Sequence, residues 1–342
     1  MNLSKVQIMC VAGLIFFALI ISATAFSVFS VFSKQERDLC LYIDADDTVD
    51  SVYVKLAPLT SDLKLNGLII CGKVMNYREH FHTGRYVFKP YDSAFRIMRK
   101  IRSGIQSPVQ VVIPIVHTLG DLSSKLSSML MPDSTQFYTT FLSPEILQEL
   151  GTDSANIISY FIPNTYEIYW NTTPKKFILR MKREHDVFWN EAKRNKAASM
   201  NLTIREVYTL ASIVQQESGN AQERPIIAGM YLNRLQKRMM LQADPTVKFA
   251  LQQFALQRLY HKHLEVESPY NTYKQIGLPI GPICIPSLNA IESVLNYTKH
   301  SYLYMCAKED FSGTHNFSTT YREHQQNANR YAKALNKRNI YR

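Results

Sequence analysis

Residues 8–32 carry no charged side chain, and that run constrains the chain more than anything after it. It opens Ile8-Met9-Cys10-Val11-Ala12-Gly13-Leu14-Ile15-Phe16-Phe17 and stays apolar or small to Phe32. At 1.5 Å per residue such a helix is roughly 37 Å long, enough to cross a hydrocarbon layer of about 30 Å with some tilt. Residues 1–37 therefore read as a short N-terminal stub and a single membrane span. A cleaved leader is the competing reading, because Ala23-Thr24-Ala25 has the small-x-small form of a cleavage site; the continuation to Phe32 favours the span. Lys5 precedes the run and Lys34 and Arg37 follow it, so the basic residues leave its orientation undecided.

Beyond the span, 46% hydrophobic and 20% charged residues describe an ordinary folded chain rather than a disordered one. The formal charge of +11 asks for an anionic partner. Nucleic acid is not expected: the Lys and Arg residues are dispersed, and no helix-turn-helix, zinc-finger or aromatic RNP-type pattern occurs. The five cysteines, Cys10, Cys40, Cys71, Cys284 and Cys306, include no C-x-x-C pair, and no H-E-x-x-H is present, so neither a metal nor a cofactor is expected. An oxidising compartment would permit a bridge such as Cys284 with Cys306, but the odd total leaves pairing open.

The candidate chemistry lies between Thr203 and Val247. Thr203 followed by Glu206 is a capping box, and Ile204, Val207, Leu210, Ala211 and Val214 recur at helical spacing, so the sequence predicts a helix from Thr203 to about Glu217. Ser218-Gly219-Asn220 breaks it. Asn220 and Glu223 repeat the capping arrangement, Pro225 suits a first turn, and Ile227, Met230, Tyr231 and Leu235 mark the buried stripe of a second helix. Glu217 then sits between the negative end of one helix and the positive end of the next, which pull its pKa in opposite directions. A lone Glu at a helix end is more often a solvated charge than a catalyst.

The residues as written shift that balance. Leu210-Ala211-Ser212-Ile213-Val214-Gln215-Gln216-Glu217, Glu223-Arg224-Pro225, Leu232-Asn233-Arg234-Leu235 and Leu241-Gln242-Ala243-Asp244-Pro245-Thr246-Val247 together resemble the endolytic murein transglycosylases, the MltG or YceG-like family. Tyr270-Asn271-Thr272-Tyr273, Gly277-Leu278-Pro279-Ile280-Gly281-Pro282, Tyr302-Leu303-Tyr304 and Gly313-Thr314-His315, with Phe317, Thr320, Glu323 and His324, resemble its remaining blocks in the same order. The family's acid is the last Glu of a Ser-Ile-Val-Glu-x-Glu run, which falls on Glu217. Gln215 replaces the run's first Glu, and Ala243, Ile280 and Gln325 also depart from the usual residues.

An internal repeat lies ahead of this region. Ile43, Thr48, Val49, Val52, Lys55 and Leu56 recur 70 residues later as Ile113, Thr118, Leu119, Leu122, Lys125 and Leu126. Each copy reads as a strand followed by a helix capped at Thr48 or Thr118. Tyr86-Val87-Phe88 before Ser93 and a helix from Phe95 to Ile101 parallels Tyr166-Glu167-Ile168 before Thr173 and a helix from Phe177 to Met181. Strand, helix, helix, strand is a LysM-type order, and the resembled family carries a LysM-like domain there; a repeat that only packs is the plain alternative. Lys175 to Lys196 reads as one long basic helix serving as a solvated connector.

The expected fold class is therefore α+β: a transmembrane helix (1–37), a LysM-like βααβ repeat (38–105), a second βα repeat with the connector (106–197) and a mixed α/β catalytic domain (198–342). The resemblance implies cleavage of the MurNAc-GlcNAc β-1,4 bond of peptidoglycan to a 1,6-anhydro end, ending the growth of nascent strands. Glu217 would be the acid/base, since the sugar's own C6 hydroxyl is the nucleophile and no second carboxylate is obligatory. Asn233, Gln242, Asp244, Asn271, Tyr273 and His315 are the candidate substrate contacts, with Asp244 the best second carboxylate and a His315–Glu323 pair the structural alternative. Implied partners are glycan strands, the cytoplasmic membrane with the body of the chain outside it, and cell-wall synthases. The rivals are an idle glycan-binding scaffold and a lysozyme-like hydrolase.

Overall fold

The computed structural model describes residues 4–256 and 259–338; the first three residues of the expected stub and the last four of the expected C-terminal domain lie outside them. The chain forms two compact units, one of residues Met1–Val111 with Met129–Pro132 and Glu167–Thr172, the other of Val112–Ser128, Asp133–Tyr166 and Thr173–Arg342.

The first unit begins with helix α1 (Lys5–Phe29), long and apolar enough to cross a membrane. The helix stops three residues short of the apolar run's end. Val31 bridges to Ser93 and Phe32 is fully buried, so the last residues of the run belong to the folded unit rather than to the span. Strand β1 (Leu39–Ile43), helices α2 (Val49–Leu56) and α3 (Asp62–Val74), strand β2 (Gly84–Phe88) and helix α4 (Ala94–Arg102) follow. The strands pair antiparallel, Leu39 opposite Phe88 and Ile43 opposite Gly84. Leu39, Leu41 and Ile43 turn inward onto Val52, Leu56, Leu68, Ile97, Met98 and Ile101, the alternation a one-sided sheet requires. Thr48 closes a capping box at α2 and Ser93 caps α4. Gly67 lets α3 lie against the end of α1; a Cβ there would stand 2.4 Å from the Ser27 carbonyl oxygen.

The second repeat differs from the first. Between strands β3 (Val109–Val112) and β4 (Thr165–Ile168), which form a two-stranded sheet, stand three helices, α5 (Leu119–Ser127), α6 (Ser134–Phe141) and α7 (Pro144–Leu150). Thr118 caps α5 as expected. The additional starts come from a capping box at Asp133 and from Ser143 ahead of Pro144.

The basic connector is two helices, not one: α8 (Pro174–Phe188) and α9 (Glu191–Ser199). Asn190 accepts a hydrogen bond from the Lys193 N–H and so starts a new helix, while Trp189 is buried at the break. Nor is α8 merely solvated, since Phe177, Ile178, Met181 and His185 are all buried.

Helices α10 (Ile204–Glu217), α11 (Arg224–Gln236) and α12 (Asp244–Ala250), a single turn α13 (His261–Leu264) and α14 (Leu288–Leu295) lead to strands β5 (Tyr304–Ala307) and β6 (His315–Ser318) and the final helix α15 (Tyr321–Lys337). Val207, Leu210, Ile213 and Val214 of α10 share one core with Ile227, Met230 and Tyr231 of α11 and with Ala290, Ile291 and Val294 of α14. The β5–β6 hairpin pairs Met305 with Phe317 and Ala307 with His315.

Candidate active site

Helix α10 starts at Thr203, whose hydroxyl accepts from the Glu206 N–H while Glu206 accepts from the Thr203 N–H, and it runs unbroken to Glu217. Its second half is buried except at the tip, so the Glu217 carboxyl is carried out of the core to the wall of a pocket. Ser218 is extended, and α11 begins only at Arg224, three residues later than the Asn220 cap expected. The reason lies in the side chains. Asn220 accepts from the Gln222 N–H within the turn, and the Glu223 carboxylate accepts from Ser218 and His315 instead of capping the helix.

The pocket, about 310 Å³, is lined by Glu217, by Met230, Tyr231 and Arg234 of α11, by Gln242 and Asp244, by Tyr273, by the β5 residues Met305 to Ala307, and by His315 and His324. Tyr231 donates its hydroxyl hydrogen to Glu217 Oε1. Tyr273 donates to Asp244 Oδ1 at 2.5 Å. Two loops are stitched together to allow this: Gln242 and Ala243 donate their N–H groups to the carbonyl and hydroxyl of Thr272, each at 3.0 Å. Gln242 adopts a left-handed φ of 49°, a conformation worth 1–2 kcal/mol of strain in ordinary residues, and the flanking bonds hold it there.

Arg234 is 7% exposed and bonded to backbone. Its Nε donates to the Leu303 carbonyl at 2.6 Å and its Nη1 to the Leu241 carbonyl at 2.8 Å, tying α11 to the segment before Asp244 and to the strand behind the pocket.

Burial pushes the Glu217 carboxyl up to about 7, the nearby Asp244 charge adding to the rise; the Tyr231 hydrogen bond and the cations of Lys248 and Arg234 pull it back. Burial also raises the Tyr231 and Tyr273 hydroxyls far above their ordinary value, so both stay protonated as donors. The His324 imidazole is lowered by burial and by Arg234. Glu217 is therefore an acid that holds its proton near neutrality beside a carboxylate at Asp244. Among the described residues no group of three or more His, Cys, Asp or Glu side chains could hold a metal ion, and all five cysteines are free thiols.

Of the residues singled out from the sequence, Glu217, Gln242, Asp244, Tyr273 and His315 meet at this pocket. Asn233 and Asn271 do not. The Asn233 amide donates to the His300 and Tyr302 carbonyls, and the fully buried Asn271 amide donates to the Leu264 and Val266 carbonyls, so each holds framework backbone. Asp244 accepts from Tyr273, and the Gln242 Oε1 faces Arg234 at 3.4 Å. His315 pairs with Glu223, not Glu323, which closes a capping box with Thr320 at the start of α15. Gln215 faces away from the pocket, its Oε1 accepting from the Ser287 N–H and hydroxyl.

The sequence does not distinguish Tyr231, Arg234 and His324 as pocket residues. Tyr231 falls on a stripe that any helix of this packing would bury, and nothing in the spacing separates it from core. Arg234 carried a signal: it stands seven residues after Ile227 and four after Met230, a charge on the apolar face.

Comparison with known proteins shows which family the chain resembles. Residues 41–330 match the YceG-like family. A Bacillus subtilis protein named endolytic murein transglycosylase is 32% identical over 179 residues, 52% of this chain and 49% of that one. A Streptococcus pneumoniae protein of the same name is 30% identical over 278 residues, 71% of this chain and 49% of its own length. The chain thus spans about half the length of the curated relatives it matches. A crystal structure of a YceG-like protein from Listeria monocytogenes superposes with a TM-score of 0.56 at 26% identity, covering 85% of this chain and 99% of that one.

Proposed function

The chain belongs to the YceG-like family, and on that premise we propose that it is an endolytic lytic transglycosylase that cuts the MurNAc-GlcNAc β-1,4 bond within peptidoglycan strands. The observation that carries this reading is the Glu217 carboxyl, set in a pocket, hydrogen-bonded by Tyr231 and holding its proton up to about pH 7. An ordinary carboxyl near 4.3 would be more than 99% ionised at neutral pH and could not act as the acid.

Glu217 gives its proton to the glycosidic oxygen as the C1–O4 bond opens. Positive charge grows on the ring, and Asp244, held by Tyr273, supplies the compensating negative charge at the pocket's edge. The C6 hydroxyl of the same sugar closes on C1, and its proton leaves to a base; the Glu217 carboxylate is the simplest acceptor. Water is not the nucleophile, so a single acid/base suffices where a hydrolase needs two carboxylates. Gln242 and His315 complete the sugar contacts. Proton transfer of this kind contributes about 10²- to 10⁴-fold in rate.

The other assignments follow from the same reading. Helix α1 anchors the protein in the cytoplasmic membrane with the remainder outside, in reach of the wall. The β1-α2-α3-β2 order supports reading residues 38–105 as a LysM-like module, with the second repeat and connector taking 106–197 and 198–342 carrying the catalysis. Cutting nascent strands would end their elongation beside the synthases.

The test is digestion of purified glycan strands followed by mass spectrometry. Products carrying 1,6-anhydro ends support the assignment. Products heavier by one water make the protein a hydrolase, and intact strands make it a binding scaffold.

A further inference from the structure

His315 enters the pocket from β6 with its ring fixed from behind. Glu223 Oε2 accepts from His315 Nδ1 at 3.0 Å, and Glu223 Oε1 accepts from the His315 backbone N–H at 2.8 Å. The same carboxyl accepts from Ser218 Oγ at 3.3 Å, the residue directly after Glu217. The two side chains are 16% and 11% exposed. All three contacts bring a hydrogen to the carboxylate, which has none to give, so the ring proton sits on Nδ1. Nε2 is left with a lone pair and no partner among the described residues, on a ring that lines the pocket. A carboxylate that fixes an imidazole's tautomer and leaves the far nitrogen free is how a histidine base is prepared.

We propose that His315 Nε2 takes the proton of the C6 hydroxyl and that Glu223 is its positioning residue. The inference rests on the transglycosylase reading above and changes its second proton transfer. When the C1–O4 bond breaks, its electron pair goes to O4, which receives the Glu217 proton. The new hydroxyl remains against Glu217 until the departing sugar leaves and competes there for the carboxylate, whereas His315 Nε2 has no such competitor. The C6 oxygen forms its bond to C1 with its own electron pair, and its proton passes to Nε2. The cycle ends with Glu217 ionised and His315 protonated, and water carries the proton from one to the other. The Glu223 carboxylate balances the imidazolium charge in between.

The test uses full-length His315→Ala, His315→Gln and Glu223→Gln proteins, with circular dichroism for folding and mass spectrometry to count anhydro and hydrolysed ends, with and without added imidazole. The expected result is that kcat for anhydro-end formation by His315→Ala falls by at least about 10²-fold, and that imidazole restores part of it. His315→Gln fills the space and should not be rescued, and Glu223→Gln should fall by about 10-fold. A rise in the share of hydrolysed ends in His315→Ala supports the assignment equally, because water then competes for the C1 centre. A purely structural role predicts neither rescue nor a changed product ratio. Folded His315→Ala showing neither effect, or failure of all three variants to fold, overturns the inference. A wild-type protein that makes no anhydro ends overturns the transglycosylase reading itself, and this with it.

Discussion

Tyr231, two turns into α11, gives its hydroxyl hydrogen to Glu217 Oε1 at the end of α10, so the two helices of the hairpin meet through the candidate acid. That bond favours the ionised carboxylate and opposes the larger effect of burial. Tyr231→Phe removes it with almost no change of shape. The Glu217 pKa should therefore rise further above about 7, and the high-pH limb of the activity profile should move to higher pH while the rate at neutrality falls by less than about 10-fold. A pH–rate profile of the variant measures the shift.

The raised carboxyl also bears on stability. In the unfolded chain Glu217 ionises near 4.5, in the folded protein near 7, so between those values the folded state holds more protons. Stability then falls as pH rises through that window, and the penalty is complete above it. Because the side chain is partly reached by solvent, the loss is taken as about 1–3 kcal/mol rather than the full shift. Glu217→Gln should melt above the wild type at pH 8, with the difference closing by about pH 4.5. Thermal unfolding at both pH values checks the sign.

Arg234 should be the reverse case. Its guanidinium is buried and its bonds run to the Leu303, Leu241 and Met240 carbonyls. Arg234→Ala would leave those carbonyls without donors, and a cost of about 3 kcal/mol or more is expected, with loss of activity following loss of the pocket. Arg234→Lys should recover little, because a single ammonium cannot reproduce the fork. Denaturant midpoints for the two variants provide the measurement.

Much of this site was legible because its signals are local. Thr203 and Glu206 fix where α10 begins, its apolar spacing fixes which face is buried, and the break at Ser218-Gly219 fixes where Glu217 is left. What the sequence could not show depends on contacts between distant segments. Asn233 and Asn271 look like sugar ligands in isolation, but buried backbone carbonyls claim their amides. Glu223 looks like a cap until His315, 92 residues away, takes its carboxylate. Asp133 and Asn190 were local signals too: each starts a helix where the repeat pattern and the basic periodicity pointed to something simpler.

The central claim is that the proton comes from Glu217. Glu217→Gln retains size and can still accept from Tyr231, but it has no acidic proton to give. Mass spectrometry of glycan strands digested by the full-length variant should show anhydro ends reduced by at least about 10²-fold, with circular dichroism and glycan binding unchanged. Gln215→Glu, measured alongside, should act like the wild type, since position 215 faces Ser287 and not the pocket. A folded Glu217→Gln protein that still produces anhydro ends at the wild-type rate would contradict the account and move the chemistry to another group, Asp244 first.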